Sequence, residues 1–329
     1  MNINKNSSYI LVHLLNGHDS APKISQIMPE VDVRSIQRSL VRLTELGLIT
    51  RHGVNSPTYT LNYSDILQAQ IPGKLLEDEK RPEAHFNHQF FTWLESSVEV
   101  IDELFGNIQH KENAPKPNNK ISAKELEYLT IELSWKSSSL EGNSYTLLDT
   151  QLLLIEGTKA KNKTEFETQM ILNHKNAISF IVEHPDLFTG TINFSAVEQI
   201  HKIIGKNLGI EPGVRNKLVR ITASQYVPLS NPYQLREAMD IVLNAISTAR
   251  SPYSKALIAL TLVPYLQLFE DGNKRTGRML ANAILIHSIG RGFSLRKVEA
   301  KQLALAYLSF YEFNSMRELD KILLAELTQ

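Results

Sequence analysis

From Lys120 onward, apolar residues return every three or four positions through long segments: ELEYLTIELSW, VEQIHKIIG, LREAMDIVLNAI, KALIALTLVPYL, GRMLANAILIHSI and KQLALAYLSFYEF. This period predicts helices. SFIVEHPDLF predicts another, stopped by its proline. Only KLVRITASQYV, rich in β-branched residues and alternating, predicts β-structure, a single small hairpin. The expected fold class is therefore mainly α with one β-hairpin. Three asparagines and two prolines in KENAPKPNNK predict a linker, which suggests parts at 1–62, 63–119 (helices and linker) and 120–329.

The first part has its own pattern. SYILVHLLNG, PKISQIMPE and DVRSIQRSLVRLTELG read as three helices, and LITRHG and PTYTLN as two short strands around the turn VNSP. That is the order of a winged helix-turn-helix, a small α+β domain. In the third helix Asp32 is a good N-cap, and Ile36, Leu40 and Leu43 share one face. Arg34, Arg38, Val41, Arg42 and Glu45 then fall on the other, with Gln37 at its flank. Three exposed arginines suit phosphate contact or guanine readout, Gln37 suits adenine, and Arg51 and His52 open the wing. DNA is the expected partner. The rival reading is a solvated helix face or a protein-docking module, since residues 1–62 hold six Lys/Arg against four Asp/Glu. The segment RSLVRLTELGLITRHG also resembles winged-helix regulators.

Composition narrows the chemistry. The chain of 329 residues is 42% hydrophobic and 21% charged, with 35 basic residues against 35 acidic, so any basic surface must be local. Zero cysteines exclude a disulfide framework, a thiol nucleophile and thiolate zinc sites. No signal-peptide layout or apolar run of membrane-spanning length occurs, so a cytoplasmic protein without membrane contact is expected.

The candidate chemistry lies in QLFEDGNKRTGR, residues 267–278, between apolar flanks. An apolar helix ends there and a second begins near Lys274. Free N–H groups and the positive dipole end of that second helix favour an anion. Gly272 allows close approach, and Arg275 and Arg278, three apart, share a face. Asp271 beside a phosphate calls for a hard cation such as Mg²⁺. A surface turn with salt bridges is the plainer alternative. The residues argue for a nucleotide polyphosphate with Mg²⁺.

Phe269 to Arg278 resembles the signature of the Fic family, His-Pro-Phe-x-Asp/Glu-Gly-Asn-Gly-Arg-x-x-Arg, with Phe, Asp, Gly, Asn and both arginines in register. VEQIHKII, EPGVR and LVRITASQYVP resemble the family's helix and flap before the motif. The resemblance implies an all-helical Fic core with a β-hairpin flap over 120–329. It also implies transfer of AMP from ATP to a hydroxyl of a target protein or of the chain itself. Asp271 would hold Mg²⁺, and the amides of Gly272, Asn273 and Lys274 would cradle phosphates. Arg275 would stabilise them during transfer, and Arg278 would grip the γ phosphate. SSSLEGN, 137–143, is similar to the family's inhibitory motif, so Ser137, Glu141 and Gly142 would restrain the site from a helix over about 122–143. SAKE, 122–125, reads as that helix's capping box.

Three positions depart from the pattern: Gln267, Leu268 in place of the proline, and Lys274. Gln267 stands where the family has its catalytic histidine, and an amide cannot serve as general base, although it could orient a hydroxyl or Glu270 could substitute. Lys274 replaces a small residue and resembles the Doc branch, whose members phosphorylate their targets, but that branch lacks the second arginine. The expected function is a nucleotide-binding Fic protein of the adenylyltransferase kind, impaired at Gln267 and coupled to DNA. The alternatives are a degenerate Fic regulator that senses nucleotide and a Doc-like kinase. A homodimer is compatible with either. His201 and His287 read as packing residues, and GTKAKNKT as a solvated basic loop.

Overall fold

The computed structural model describes residues 3–106 and 120–328. The expected linker KENAPKPNNK lies outside them except for Lys120. In chain order the helices begin with α1 Lys5–Leu15, α2 Ala21–Ile27, α3 Val33–Glu45, α4 Tyr63–Leu67, α5 Gly73–Leu76, α6 His88–Ser96 and α7 Val98–Phe105. They continue with α8 Ala123–Ser139, α9 Leu147–Glu156, α10 Glu165–Glu183, α11 Phe194–Gly205, α12 Pro232–Thr248, α13 Pro252–Leu266, α14 Asn273–Ile289, α15 Ala300–Phe313 and α16 Arg317–Leu327. The protein is mainly helical, as its periodicity predicts.

Two compact units divide the chain. One gathers the residues up to Trp93 with Val219–Leu229 and Lys301–Leu319, and the other holds Leu94–Leu218, Ser230–Ala300 and the residues from Asp320 on. In the first unit α1, α2 and α3 are followed by an antiparallel ribbon of β1 Ile49–His52 and β2 Thr58–Leu61, paired Ile49↔Leu61 through His52↔Thr58. Asp32 caps α3, its carboxylate accepting from the amide of Ser35 at 3.1 Å. The α3 face predicted to be apolar is buried at Ile36, Leu40 and Leu43.

The first unit also corrects the expected hairpin flap. Within KLVRITASQYV the described backbone forms only β4, Tyr226–Val227, which runs parallel to β3, Ala84–His85. Its neighbours are held by side chains instead. A buried pair of Arg81 and Glu312, 2.6 Å from Nε to Oε2, sits beneath them. Glu312 Oε1 accepts from Ser224 Oγ and the Gln225 amide, both at 2.9 Å, and Arg81 Nη2 donates to the Ala223 carbonyl at 2.8 Å. The alternation of the segment finds no apolar layer to face, because Tyr226 is buried whereas Leu218 is 82% exposed.

In the second unit α13 packs against α14, and this contact sets the site. α13 is buried from Ala256 to Leu266 on all sides. Gly277 permits the approach: a Cβ there would lie 2.9 Å from the ring of Pro264 and 3.2 Å from the Ala259 carbonyl oxygen. α8 starts with the predicted capping box, Ser122 with Glu125, and α10 ends just before Pro185.

Candidate nucleotide site at the start of α14

Gln267 ends α13 in a left-handed conformation, φ 48° and ψ 49°. Non-glycine residues seldom adopt it unless their surroundings hold them there. Here they do. The Gln267 side-chain amide donates from Nε2 to the Pro264 carbonyl at 2.7 Å, and its Oε1 accepts from Asn273 Nδ2 at 3.4 Å. Its own carbonyl accepts from Arg215 Nε. The Gln267 side chain is thus a buried clamp, engaged at both ends.

The chain then turns through Leu268 and Phe269, both fully buried, to Gly272, whose φ of 79° opens α14. Asn273 closes this turn, accepting from the Phe269 amide at 2.9 Å and donating to the Phe269 carbonyl at 2.8 Å. Phe269 stacks on the His201 ring of α11 with centroids 3.6 Å apart. His201 Nε2 lies 3.0 Å from the Asp271 carbonyl, so it carries the proton and donates. Burial pushes His201 down to about 4, which keeps it neutral. His201 therefore does more than pack within its helix; it shapes the loop.

Three cations meet at the first turns of α14. Arg275 is 2% exposed and donates from Nη2 to Asp271 Oδ2 at 2.9 Å, while its Nε and Nη1 are buried without a hydrogen-bond partner among the described residues. Burial pushes its pKa down, against the pull of Asp271 and Glu141. Arg278, 1% exposed, donates from Nε to Ser137 Oγ at 2.9 Å and from Nη2 to Glu141 Oε1 at 2.8 Å. Lys274 Nζ lies 4.0 Å from Glu141 Oε2. Burial raises the pKa of Glu141, but Arg278, Lys274 and Arg275 outweigh it and hold the carboxyl at about 2.

Ser137 lies inside α8, and Glu141 lies in the turn beyond it, where Gly142 takes φ 89°. The segment SSSLEGN is accordingly a glycine-capped helix end and an arginine partner at once. Asp271 is largely exposed, with Oδ1 accepting from the Gly272 amide at 2.6 Å. Among the described residues no group of three or more His, Asp or Glu has metal-ligand spacing.

Several of these contacts are not legible in the sequence. Arg215, from EPGVR, holds the loop through its amide, which donates to the Leu268 carbonyl at 3.0 Å. Lys217 pairs with Glu270 at 2.7 Å, which ties up the carboxylate proposed as a substitute base. His287 donates to or accepts from nothing at the site; its Nε2 lies 2.9 Å from the Ile181 carbonyl. In GTKAKNKT, Lys159 pairs with Glu165 and Lys163 donates to Ser144, as a solvated loop would. In the first unit Arg34, Gln37, Arg38, Arg42 and Arg51 are all exposed, the first four along one face of α3.

Residues 191–285, which span α11 to most of α14, match the Fic/DOC family model. The protein adenylyltransferase fic-1 of Caenorhabditis elegans is 25% identical over 201 residues, 58% of this chain and 37% of that protein. The chain thus spans little more than a third of that relative's length. A solved structure of Fic-1 from C. elegans superposes with a TM-score of 0.50 at 18% identity, covering 73% of this chain and 70% of that one. A Fic-domain signaling protein from Bacteroides thetaiotaomicron gives 0.51 at 16% identity, covering 70% and 94%. Matched to the family model over residues 191–285 and similar in fold to solved Fic structures, the chain carries a Fic/DOC family domain in that range.

Proposed function

We propose that this chain binds ATP with Mg²⁺ at the start of α14, that Glu141 restrains binding by holding Arg278, and that AMP transfer is slow because Gln267 is no base. The observation that carries this is Arg275. A buried guanidinium with two unpartnered nitrogens is costly unless an anion completes it. The free amides of the first turn of α14 and the helix dipole point the same way. Relatives named protein adenylyltransferases favour ATP as that anion.

The donor set fits the metal in one way. A single exposed carboxylate, Asp271, suits Mg²⁺ that arrives on phosphates, which takes one or two carboxylates and phosphate oxygens. Held there, Mg²⁺ would neutralise charge on the phosphates. Everything else falls to the chain's own groups: Arg275 pairs with the phosphates, Arg278 takes the terminal one once Glu141 leaves, and the Asn273 clamp keeps the loop in shape.

In AMP transfer a target hydroxyl oxygen attacks the α phosphorus, the bond to the bridging oxygen breaks, pyrophosphate leaves, and the hydroxyl proton must be accepted. Gln267 offers an amide with both ends bonded, and Glu270 is paired with Lys217. Loss of a general base slows such steps by about 10²- to 10⁴-fold. The bonded Gln267 equally supports a second reading, in which transfer is lost and the domain senses nucleotide.

Residues 1–62 complete the proposal as a winged-helix domain that lays α3 in the major groove, with Arg34, Arg38 and Arg42 on phosphate or guanine, Gln37 on adenine and Arg51 on the wing. Nucleotide state would then bear on DNA binding. No helix among the described residues is long and apolar enough to cross a membrane. The test is incubation of Glu141→Gly with ATP labelled at the α phosphate. Slow labelling of protein supports transfer; no label until Gln267→His is added supports the sensor. Label from the γ phosphate instead would replace both with the Doc-like kinase that Lys274 suggests.

A further inference from the structure

His174, on α10, is fully buried and has no part in the reading above. Its Nδ1 lies 2.8 Å from the Met170 carbonyl oxygen, one turn back. Two lone pairs cannot face each other at that distance, so Nδ1 bears the proton and donates. Nε2 is then an acceptor, and at 2.8 Å it takes the hydroxyl proton of Ser137. That choice turns the Ser137 oxygen into an acceptor for Arg278 Nε at 2.9 Å. Every proton in the chain from Arg278 through Ser137 and His174 to Met170 has one direction. Burial pushes His174 down to about 3, so the imidazole stays neutral near pH 7.

The two residues of α8's end that touch Arg278 differ in kind. Ser137 is fully buried inside the helix and held from behind by His174. Glu141 stands beyond the helix cap at Leu140, on a turn with a left-handed Gly142, and its second oxygen faces Lys274 at 4.0 Å. The turn is pinned past Glu141 as well, because Asn143 Nδ2 donates to the Glu167 carbonyl at 2.8 Å. A carboxylate between two fixed points can leave by side-chain rotation alone.

We infer that His174 is a positioning residue for Arg278: acting through Ser137, it holds the guanidinium whether or not Glu141 is engaged, so an anionic ligand can replace Glu141 while α8 stays docked. This rests on the reading of Arg278 as a phosphate ligand.

The test compares His174→Leu with His174→Gln, each in the Glu141→Gly protein. Glutamine can place an acceptor oxygen where Nε2 stood, and leucine fills the space without one. Two readouts are taken: the Kd of Mg²⁺-ATP by calorimetry, and the ¹H–¹⁵N signal of Arg278 Nε, assigned by its loss in Arg278→Lys. Leucine is expected to weaken ATP about tenfold, the scale of one charge-assisted hydrogen bond, and to abolish the slowly exchanging Nε signal. Glutamine is expected to keep both. Equal behaviour of the two variants, or a persistent Nε signal with leucine, overturns the inference. Should Glu141→Gly bind no nucleotide, the nucleotide reading falls, and the Nε signal alone then decides for or against His174. Should leucine at 174 fail to fold, Ser137→Ala cuts the same relay from α8, with the same expected and contrary results.

Discussion

Glu141 Oε1 accepts from Arg278 Nη2 at 2.8 Å, joining the turn after α8 to the second turn of α14. A carboxylate on a donor that a phosphate would need is a competitor, and it is also a stabilising ion pair. Glu141→Gly should therefore do two opposite things. It should lower the thermal midpoint of the free protein, because Arg278 loses a partner in a nearly dry site, at a cost of about 1–3 kcal/mol. It should also enlarge the upward shift that Mg²⁺-ATP produces. Thermal melts with and without nucleotide measure both; a variant with an unchanged midpoint and an unchanged shift would leave Glu141 without a role.

Acid should undo this network in two stages. His174 is held down at about 3 by burial, and its unfolded value is near 6.5. The unfolded chain binds that proton first, so the stability from a neutral His174 is complete above about pH 6.5 and declines from there toward pH 3. Glu141, held at about 2, contributes above its unfolded value of about 4.5 and loses its contribution as pH falls from there through 2. Denaturant midpoints between pH 7 and 4 should fall less steeply for His174→Gln than for the parent. Equal slopes would contradict the neutral, buried histidine.

Gly277→Ala probes the packing that aims the site. The new methyl would lie 2.9 Å from the Pro264 ring and 3.2 Å from the Ala259 carbonyl, so α13 and α14 must move apart. Overpacking of this kind costs about 1–3 kcal/mol. The variant should unfold earlier and bind nucleotide less well; Gly290→Ala, at the far end of α14, makes a control for its stability effect.

For the first unit, Arg38→Ala should weaken binding to duplex DNA and lower the slope of log K against log salt by about 1 if Arg38 meets a phosphate. An unchanged affinity would return α3 to a solvated face or a protein-docking surface.

Local pattern made the helices, the α3 face, the Ser122 capping box and the break between α13 and α14 legible, because each depends on neighbours within about one helical turn. The expected hairpin is replaced by the short strand β4 for the converse reason. Its alternation is genuine, but Tyr226 pairs with Ala84, and Ser224 and Gln225 bond to Glu312, all distant in sequence. His201, Arg215 and His174 escaped for the same cause: each looks like a packed or loop residue until Phe269, Leu268 and Ser137 are brought beside it. Gln267 shows the limit most clearly. Its sequence position marks what it cannot do, whereas its bonds to Pro264 and Asn273 reveal what it does.

α14 is proposed to begin a nucleotide cradle restrained by Glu141. Calorimetric titration of Mg²⁺-ATP into the parent chain, Glu141→Gly and Glu141→Gly/Arg275→Ala tests it directly. Weak binding is expected to the first, binding at least about tenfold tighter to the second, equivalent to about 1.4 kcal/mol, and loss of that gain in the third. Equal affinity of the parent and Glu141→Gly, or tight binding that survives Arg275→Ala, would contradict it.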